Sequence, residues 1–582
     1  MRFRQLWDYL KFLERLFGEP LYNNFHHGDT KKRVSSFSAM KLVLIQPPIR
    51  DFYESSSRLQ PIGLGYLKAA VKKHLSGVEV RILDFHQGWG RRTAPLPKEL
   101  SYLRDYYPWP DQSPFALFHQ YYHFGAPFER VAREVAREEP DLVGISSLFS
   151  PYYREALQCA DLIKKEVGCP IVLGGSHVSA VPEFMLKQPS VDWVIRGEGE
   201  RPLVELLKAW KEGRTLEEAP NLGFKKEGRL IFNPVGEPYA IDEIPFPDLS
   251  DLDGRKYLFE KNPLCFVMTS RGCPHHCSFC SIHRTFPGYR RRSTDSVLEE
   301  IIHRVEEGFR IFDFEDDNLT FDQNEMKTLC RKLDHLFPKG TLRFLAMNGI
   351  SYQSLDLELL TLMRKAGFTH LNIALVSADS SIRRGCNRSG DLGKYLRVVQ
   401  EAASLGFKMV SYQILGLPGE SLKAMIKTLV LQTRLPVLLG ASPFYLSPET
   451  PIAKQFPEMT DEDHLKSRLT AMAVETDQFE REDIYTLFVT IRIINFLKGL
   501  PVPKARIRLE EALRNAYDQG KRAAQGSELL SLLLSQGVLY AATPKGFKRL
   551  PRFKAKLFHE LWGKLGVIRT LAGKIILIKG QN

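Results

Sequence analysis

The amino-acid sequence predicts an α/β protein built from three structured parts in a row. We expect an N-terminal doubly wound parallel sheet of the Rossmann-like type, then a partial (β/α)6 barrel of the TIM type, then a helical C-terminal region. Short apolar runs alternate with longer helical stretches, glycine- and serine-rich segments follow those runs, and strand signals fade after about residue 455. A chain of 582 residues is also too long for one hydrophobic core.

The expected domains are a helical extension at 1–39, a sheet domain at 40–210, a connector at 211–260, a partial barrel at 261–455 and a basic, mainly helical domain at 456–582. The extension has acids inside its apolar stretch and no small-residue cleavage site, so we do not expect a secretory signal. Met40 directly precedes the first strand, so the extension is either an appended helix or an upstream start-site artefact.

Five apolar runs predict the strands of the first sheet: KLVLIQPP, VEVRILDF, PDLVGISSLF, PIVLGGSH and VDWVIRGEGE. Ligands of doubly wound sheets bind beyond the carboxyl ends of the strands. The loops QPPIR, SSLFS, GGSHVS and RGEGE are therefore the expected binding region. The proline-rich segment IDEIPFPDL predicts an irregular end to the connector.

Six further runs predict the strands of the barrel: CFVMTSRG, IFDFEDD, LRFLAMN, HLNIAL, KMVSYQILG and LLGASPFYL. Six strand–helix units suit a partial barrel rather than a closed eightfold one, and active-site residues of barrels cluster at strand carboxyl ends. Beyond the barrel, Tyr485, Phe488, Ile491 and Phe496 fall near one helical face, either as core or as an apolar substrate wall.

The composition is typical of a globular protein and disfavours a membrane-spanning or disulfide-rich one. The apolar fraction of 43% and charged fraction of 26% are ordinary for globular proteins, and there is no run of eighteen uncharged apolar residues. Three of the eight cysteines are crowded together and the rest show no framework spacing, so a metal site in a reducing, cytoplasmic compartment is favoured over disulfides.

The net charge of +13 is spread over the chain but grows towards the end, in KGFKRLPRFKAKLFHELWGKLGVIRTLAGKIILIKG. A solvated basic face, a nucleic-acid patch and peripheral contact with the cytoplasmic face of a membrane all fit this pattern. Nothing resembles a nucleic-acid-binding module, so we expect no nucleic-acid partner.

The strongest local signal is the segment TSRGCPHHCSFCSIH, where Cys273, Cys277 and Cys280 have the spacing C-x-x-x-C-x-x-C. Three thiolates in one loop can bind three irons of a [4Fe–4S] cluster. Zinc is the alternative on spacing alone, with His275, His276 or His283 as the fourth ligand.

This loop resembles that of the radical S-adenosylmethionine (radical SAM) enzymes, and later segments extend the resemblance over about 264–455. In that family the open iron is chelated by the amino and carboxylate groups of S-adenosylmethionine. The resemblance implies that Phe279 packs beside the adenine. Three adjacent acids, Glu315, Asp316 and Asp317, are candidates to meet the methionine amino group, against the alternative of a solvated turn.

Three later segments match the family's fourth, fifth and last strand motifs: IALVSADSSIRRGCNR, SYQILGLPGES and PFYLSPETPIA. The resemblance assigns Ser377 and Gly416 to the cofactor-binding set. Val376 stands where the family usually has glutamate, which removes one expected contact.

The sheet at 41–210 resembles the cobalamin-binding domain fused to many such enzymes, through QPP, QPIGLGYLKAA, GISSLF, GGSHVSA and RGEGERPLVELL. Glycines let the backbone approach a flat ligand, and serines can hydrogen-bond a buried base. The implied cobalamin-binding residues are Ser146, Ser147, Gly174, Gly175, Ser176, His177 and Gly197.

No D-x-H-x-x-G loop follows the first strand, so the resemblance implies cobalamin bound base-off without a protein histidine on cobalt. The run DFHQG follows the second strand with the wrong spacing, and we interpret His86 as structural. His177 is expected to line the nucleotide end of the ligand.

The resemblance implies an enzyme that forms a 5′-deoxyadenosyl radical and, with methylcobalamin, methylates an unactivated carbon of a small-molecule or lipid-like substrate. An electron donor such as flavodoxin or ferredoxin is the implied partner. Two alternatives stay open: a radical cyclase, oxidase or rearrangement enzyme without net methyl transfer, and a non-catalytic metal-binding interaction protein.

Overall fold

The computed structural model of the chain describes residues 40–53, 60–456 and 460–578. The helical extension predicted at 1–39 lies outside the described residues.

The N-terminal sheet has seven strands. In chain order they are β1 Met40–Gln46, β2 Val78–Asp84, β3 Leu142–Ser146, β4 Ile171–Gly174, β5 Trp193–Ile195, β6 Leu222–Lys226 and β7 Arg229–Phe232. Across the sheet the order is β7-β6-β5-β4-β3-β1-β2. Neighbours among β1 to β5 are parallel, which confirms the predicted parallel sheet.

Helices cover both faces of this sheet: α1 Ile62–His74, α2 Phe128–Arg137, α3 Tyr153–Val167 and α4 Glu200–Lys211. Successive side chains of a strand point to opposite faces. In β1, Leu42 and Leu44 accordingly pack with α1 and α4, whereas Val43 and Ile45 pack with α2 and α3. Both faces are apolar, as a doubly wound sheet requires.

The first half of the predicted connector is ordered as part of the sheet. Strands β6 and β7 form a hairpin that adds to β5 in antiparallel orientation. Their turn consists of Glu227 and Gly228, both with positive φ (50° and 75°), the conformation that joins twisted strands across a two-residue turn. The proline-rich part from residue 241 has only short 3-10 turns, as expected.

The middle of the chain forms six parallel strands in consecutive order: β8 Asn262–Val267, β9 Ile311–Phe314, β10 Arg343–Leu345, β11 His370–Val376, β12 Lys408–Leu415 and β13 Leu438–Pro443. They occur as two sheets, linked between β10 and β11 by parallel bridges from Phe344 to Phe368 and from Ile350 to Ile373. The helices between them are α5 Thr294–Glu306, α6 Gln323–Leu336, α7 Leu357–Ala366, α8 Leu392–Ser404 and α9 Leu422–Thr433. The result is a partial, barrel-like arrangement.

A helix covers the last strand of this arrangement. In α10, Arg481–Gly499, the amide of Asn495 accepts a hydrogen bond from the Leu439 backbone N–H (2.9 Å) and donates one to its carbonyl (2.8 Å). The side chain thereby satisfies an edge strand that would otherwise present unpaired backbone groups.

The C-terminal region continues with α11 Leu509–Tyr517, α12 Lys521–Gln536 and α13 Ala555–Lys564, together with short strands between 506 and 577. Tyr485, Phe488 and Ile491 are buried in the core, and Phe496 packs against it. Most apolar residues of the basic tail also pack into the core, with Phe558 and Leu561 inaccessible to solvent, whereas Leu571 is exposed. No helix in the described ranges combines the length and apolarity needed to cross a bilayer.

We predict that Lys498→Met strongly destabilises the protein. The buried amino group of Lys498 lies within hydrogen-bond distance of the carbonyls of Thr433 (3.2 Å), Leu435 (2.6 Å) and Arg569 (2.8 Å), contacts that tie α9 to α10 and to the C-terminal strands. Methionine leaves these carbonyls unsatisfied, so the free energy of unfolding in urea should fall by ~3 kcal/mol.

The matched control is Lys504→Met, because that side chain is 70% exposed opposite Glu511. It should change the free energy of unfolding by less than ~0.5 kcal/mol. Equal effects of the two substitutions would contradict the structural role of Lys498.

Candidate active site

The three cysteines of the motif lie in the loop after β8 and line a cavity of about 740 Å³. The cavity lies between the barrel and the N-terminal sheet, because Phe149, Ser150 and Ser176, from loops after β3 and β4, line its other side. Cys273 and Cys277 are buried and Cys280 is half-buried. The loop therefore occupies the strand carboxyl end that the sequence predicts.

Two side chains from outside the motif reach the thiols. Asn318 Nδ2 donates towards Cys273 Sγ at 3.6 Å, and the Arg388 guanidinium donates towards Cys277 Sγ at 3.9 Å. Burial raises the pKa of Cys277, and Arg388 opposes that rise; burial raises the pKa of Cys280 to about 11. A metal centre must displace these protons, because the thiolate is the ligand.

The three histidines that zinc could have recruited make other contacts. His283 Nε2 lies 2.9 Å from the His275 carbonyl oxygen, and the rings of His276 and His283 stack at 4.2 Å. Within the described ranges, no three His, Cys, Asp or Glu side chains are grouped so as to hold one metal ion. Three thiolates that bind separate irons of a cluster do not need to converge on one point.

The structure separates the three adjacent acids that follow β9. Asp316 is buried and accepts hydrogen bonds from the backbone N–H (3.1 Å) and hydroxyl (2.6 Å) of Thr269 and from the Ser270 hydroxyl (2.5 Å). It therefore fixes the chain just before the cysteine loop. Glu315 accepts a hydrogen bond from Asn348 at 2.8 Å, away from the cavity lining.

Asp317 is the acid that faces the large cavity, beside the cysteines. Its carboxylate accepts the Gly272 backbone N–H at 2.9 Å. The Asp317 carboxylate is open to the cavity on one side and surrounded by protein atoms on the others. This enclosure raises its pKa to about 6. Asp317 is thus the best placed of the three to meet an ammonium group of a bound ligand.

The other residues assigned through the family motifs lie at different depths. Phe279 and Val376 line the cavity, whereas Ser377 is fully buried behind it and donates to Glu420 at 2.8 Å. Gly416 lies where a side chain would crowd Phe479 and Ile484 of the C-terminal region. Ser377 and Gly416 therefore lie outside the cavity lining, where they pack against other parts of the protein.

Val376 has an unusual backbone for a β-branched residue, with φ of 70°. It follows a register shift in the pairing of β11 with β12, between Ala374 and Val376. The strand end after this shift lines the cavity, with Val376 where the resemblance predicted a glutamate.

A second cavity, of about 280 Å³, opens at the carboxyl end of the N-terminal sheet. We call it the small cavity, and the cavity at the cysteines the large cavity. Of the implied cobalamin-binding residues, five line it: Ser146, Gly174, Gly175, Ser176 and Gly197. A side chain at Gly174 would project into open space, and one at Gly175 would collide with the Ser147 carbonyl. The lining is mainly apolar, as suits a flat organic base.

Ser147 and His177 lie apart from this lining. The Ser147 carbonyl accepts the His177 backbone N–H at 3.2 Å. His177 lines the large cavity instead, with Nδ1 3.0 Å from the Ser150 hydroxyl, and burial lowers its pKa to about 3. His86 is buried after β2, where its backbone N–H donates to Asp84 at 2.7 Å.

Sequence reasoning missed the part of the large cavity's wall that lies outside the cysteine loop. Arg468 and Asp51 pair there at 3.4 Å, and the Tyr152 hydroxyl donates to Asp51 at 2.5 Å. Tyr53, Tyr412 and Tyr445 complete this wall. These residues come from segments up to hundreds of positions apart and belong to no local motif. Residue spacing in the sequence therefore could not indicate that they meet at one cavity.

Comparisons with known proteins agree with this two-part site. A model of the radical SAM superfamily matches residues 267–431, and a model of the B12 binding domain matches residues 118–207. The chain is 27% identical over 446 residues to cytidylyl-2-hydroxyethylphosphonate methyltransferase from Streptomyces wedmorensis, covering 68% of this chain and 78% of the relative.

A second relative is named for a different reaction. Anaerobic magnesium-protoporphyrin IX monomethyl ester cyclase from Rubrivivax gelatinosus is 26% identical over 317 residues, covering 52% of this chain and 55% of the relative. Among solved structures, the methyltransferase TsrM from Kitasatospora setae, with tryptophan and aza-SAM bound, aligns with a TM-score of 0.56 at 19% identity, over 72% of this chain and 76% of that one. This likeness shows a shared fold.

The residues present fit the cofactors that the two family models imply: a [4Fe–4S] cluster, S-adenosylmethionine and cobalamin. The cysteine loop supplies three soft thiolate donors at the large cavity. At the small cavity, Gln46 Oε1 and the Tyr66 hydroxyl are buried without a hydrogen-bond partner among the described residues, so polar groups of a ligand can pair with them.

We predict that Glu420 makes the protein less stable as pH rises. Burial raises the pKa of Glu420 from 4.5 to about 8, so the folded state keeps a proton that the unfolded chain has lost. Between these values the folded state binds more protons, and stability must fall with rising pH. Glu420→Gln keeps an acceptor for Ser377 and should remove this slope.

Urea unfolding at pH 5.5 and 7.5 measures the effect. The wild type should lose roughly 3 kcal/mol relative to Glu420→Gln between these two conditions, at about 1.4 kcal/mol per pH unit. Glu299→Gln, an exposed position on α5, is the control and should keep the wild-type slope. Parallel slopes for wild type and Glu420→Gln would refute the assignment.

Proposed function

We propose that this chain is a cobalamin-dependent radical SAM enzyme that transfers a methyl group to an unactivated carbon of a small-molecule or lipid-like substrate. The observation that carries the proposal is the large cavity, which has the cysteine loop on one side and the loops of the B12-binding sheet on the other. A substrate in this cavity would contact both cofactor regions.

The cofactors supply the difficult chemistry: the cluster with S-adenosylmethionine gives one-electron cleavage to a reactive carbon radical, and cobalamin carries a transferable methyl group. The chain's own residues bind and orient. Cys273, Cys277 and Cys280, which line the large cavity, would hold the cluster, and Asp317 would accept a hydrogen bond from the amino group of S-adenosylmethionine. The surrounding aromatic and aliphatic walls exclude water from the reacting atoms.

The matched methyltransferase supports methyl transfer, and the matched cyclase supports the alternative without net methyl transfer. Methyl transfer is favoured because the longer of the two alignments is with the methyltransferase. The third interpretation of the sequence was a non-catalytic metal-binding protein. The matches to the radical SAM and B12-binding models favour an enzyme over this interpretation.

A labelling experiment separates the two reactions. Reconstituted protein is incubated anaerobically with cobalamin, a reductant, cell extract as a substrate source and methyl-labelled S-adenosylmethionine. We expect 5′-deoxyadenosine together with label in a product, because the methyl group reaches the substrate. Formation of 5′-deoxyadenosine with no label in any product would refute methylation and favour cyclisation, oxidation or rearrangement.

An electron donor such as flavodoxin or ferredoxin belongs to the same proposal, since each cleavage consumes one electron. His276 is exposed next to the buried Cys277, so the polypeptide beside the cluster loop is within reach of a partner's surface. Arg384, also exposed, lies in the segment that contacts this loop and favours an acidic partner.

We also propose that any contact of the basic tail with membranes is mainly electrostatic, because most of its apolar residues are core while Lys545 and Lys548 are exposed. The double substitution K545E and K548E should weaken binding to phosphatidylserine vesicles roughly 30-fold, at ~1 kcal/mol per cation removed. Sedimentation with vesicles measures this.

The control makes the same change in net charge elsewhere, with K339E and K365E at two exposed lysines of the barrel. It should leave vesicle binding within about twofold, since the anionic surface potential decays over a Debye length. Failure of the wild type to sediment with anionic vesicles would end the membrane proposal.

A further inference from the structure

A buried ion-pair group joins the cysteine loop to the N-terminal sheet. The guanidinium of Arg271, two residues before Cys273, donates to Glu198 at 2.7 Å and to Glu200 at 2.6 Å. Both carboxylates belong to the RGEGE segment after β5. Arg290 makes a second close ion pair with Glu198.

These groups are almost inaccessible to solvent. The side chain of Arg271 is 5% exposed, and those of Glu198 and Glu200 are 5% and 8% exposed. The ring of Tyr66, from α1, lies 4.9 Å from the guanidinium carbon of Arg271. Two cations and two anions balance in charge, so loss of any one would leave an uncompensated buried ion.

The group lies at the boundary between the two cavities. Arg271, Glu198 and Glu200 line the small cavity, while Cys273 lines the large one. The peptide between Arg271 and Cys273 is also fixed, because Gly272 has φ of 77° and its N–H donates to Asp317. Stiff covalent and ionic links therefore join the segments that line the two cavities, which also share Leu148, Ser176 and Thr285 in their linings.

We propose that Arg271, Glu198 and Glu200 couple the two cofactor sites, so that cobalamin at the small cavity and a cluster on the cysteine loop strengthen each other's binding. A ligand in the small cavity restrains the carboxylates and, through them, the position of Arg271. A cluster restrains Cys273 and, through two residues of backbone, the same guanidinium. Such coupling is reciprocal by thermodynamic necessity. The inference concerns cofactor binding and does not depend on which reaction follows.

The experiment measures binding rather than turnover. Full-length protein is prepared anaerobically with and without reconstituted cluster, and the dissociation constant of hydroxocobalamin is determined by spectrophotometric titration. We expect at least fivefold tighter binding to the cluster-loaded wild type, the lower end of typical coupling. In E200Q, which removes one charge without changing the side chain's shape, the two constants should agree within about twofold.

The reciprocal measurement uses the wild type alone. In a competition with a chelator carried to equilibrium, hydroxocobalamin should raise the protein's apparent affinity for the cluster iron by a similar factor. If E200Q does not accumulate as folded protein, R271K provides the comparison, because lysine keeps the charge but cannot bridge two carboxylates in the same way.

The matched control is D251N. Asp251 forms an equally buried pair with Lys68 of α1, at 2.6 Å with side chains 5% and 4% exposed, and lines neither cavity. D251N should lower stability but keep the wild-type ratio of dissociation constants. The proposal would be overturned if the wild type bound hydroxocobalamin equally well with and without the cluster. It would also be overturned if E200Q kept the wild-type ratio of these two dissociation constants, or if D251N lost it.

Discussion

The carboxyl edges of two parallel arrangements of strands face one another across the large cavity, and the site depends on this constraint. Parallel strands need crossover connections, so the loops at one edge come from segments far apart in the chain. Residues after β3 and β4 meet residues after β8, β9 and β13 for this reason. Because backbone pairing ends at these edges, side chains and main-chain groups there are available for ligands.

Close backbone approach is the second requirement of the site. A side chain at Gly272 would collide with the Gly288 carbonyl, and one at Gly175 would lie 2.6 Å from the Ser147 carbonyl oxygen. Both glycines have positive φ, where other residues are disfavoured. Val376 adopts positive φ without being glycine, and such backbones persist only where the surrounding structure holds them. Its neighbour Ser377 is held by Glu420, which supplies that restraint from the turn after β12.

The sequence predicted most of the strands along the chain, because apolar runs with glycine-rich ends alternate regularly with helical stretches. It located the three cysteines and five of the residues at the small cavity, since these lie in local motifs. It could not separate Glu315, Asp316 and Asp317, whose directions depend on Thr269 and Asn348 from other strands. The β6–β7 hairpin was missed because its strands are short and half exposed. The wall with Arg468 and Asp51 exists only through tertiary contact.

Charge is distributed unevenly around the large cavity, and this bears on what can bind there. Arg388 and Asp317 lie at the cysteine end, where an amino-acid moiety with both signs of charge can pair with them. On the wall outside the cysteine loop Arg468 and Asp51 neutralise each other. Burial raises the pKa values of Tyr53 and Tyr445, so their phenols stay neutral. That wall offers aromatic surface and hydroxyl groups rather than net charge. A substrate without a strong charge near its reacting carbon would therefore lose little solvation on entry, whereas an anionic group placed there would remain uncompensated.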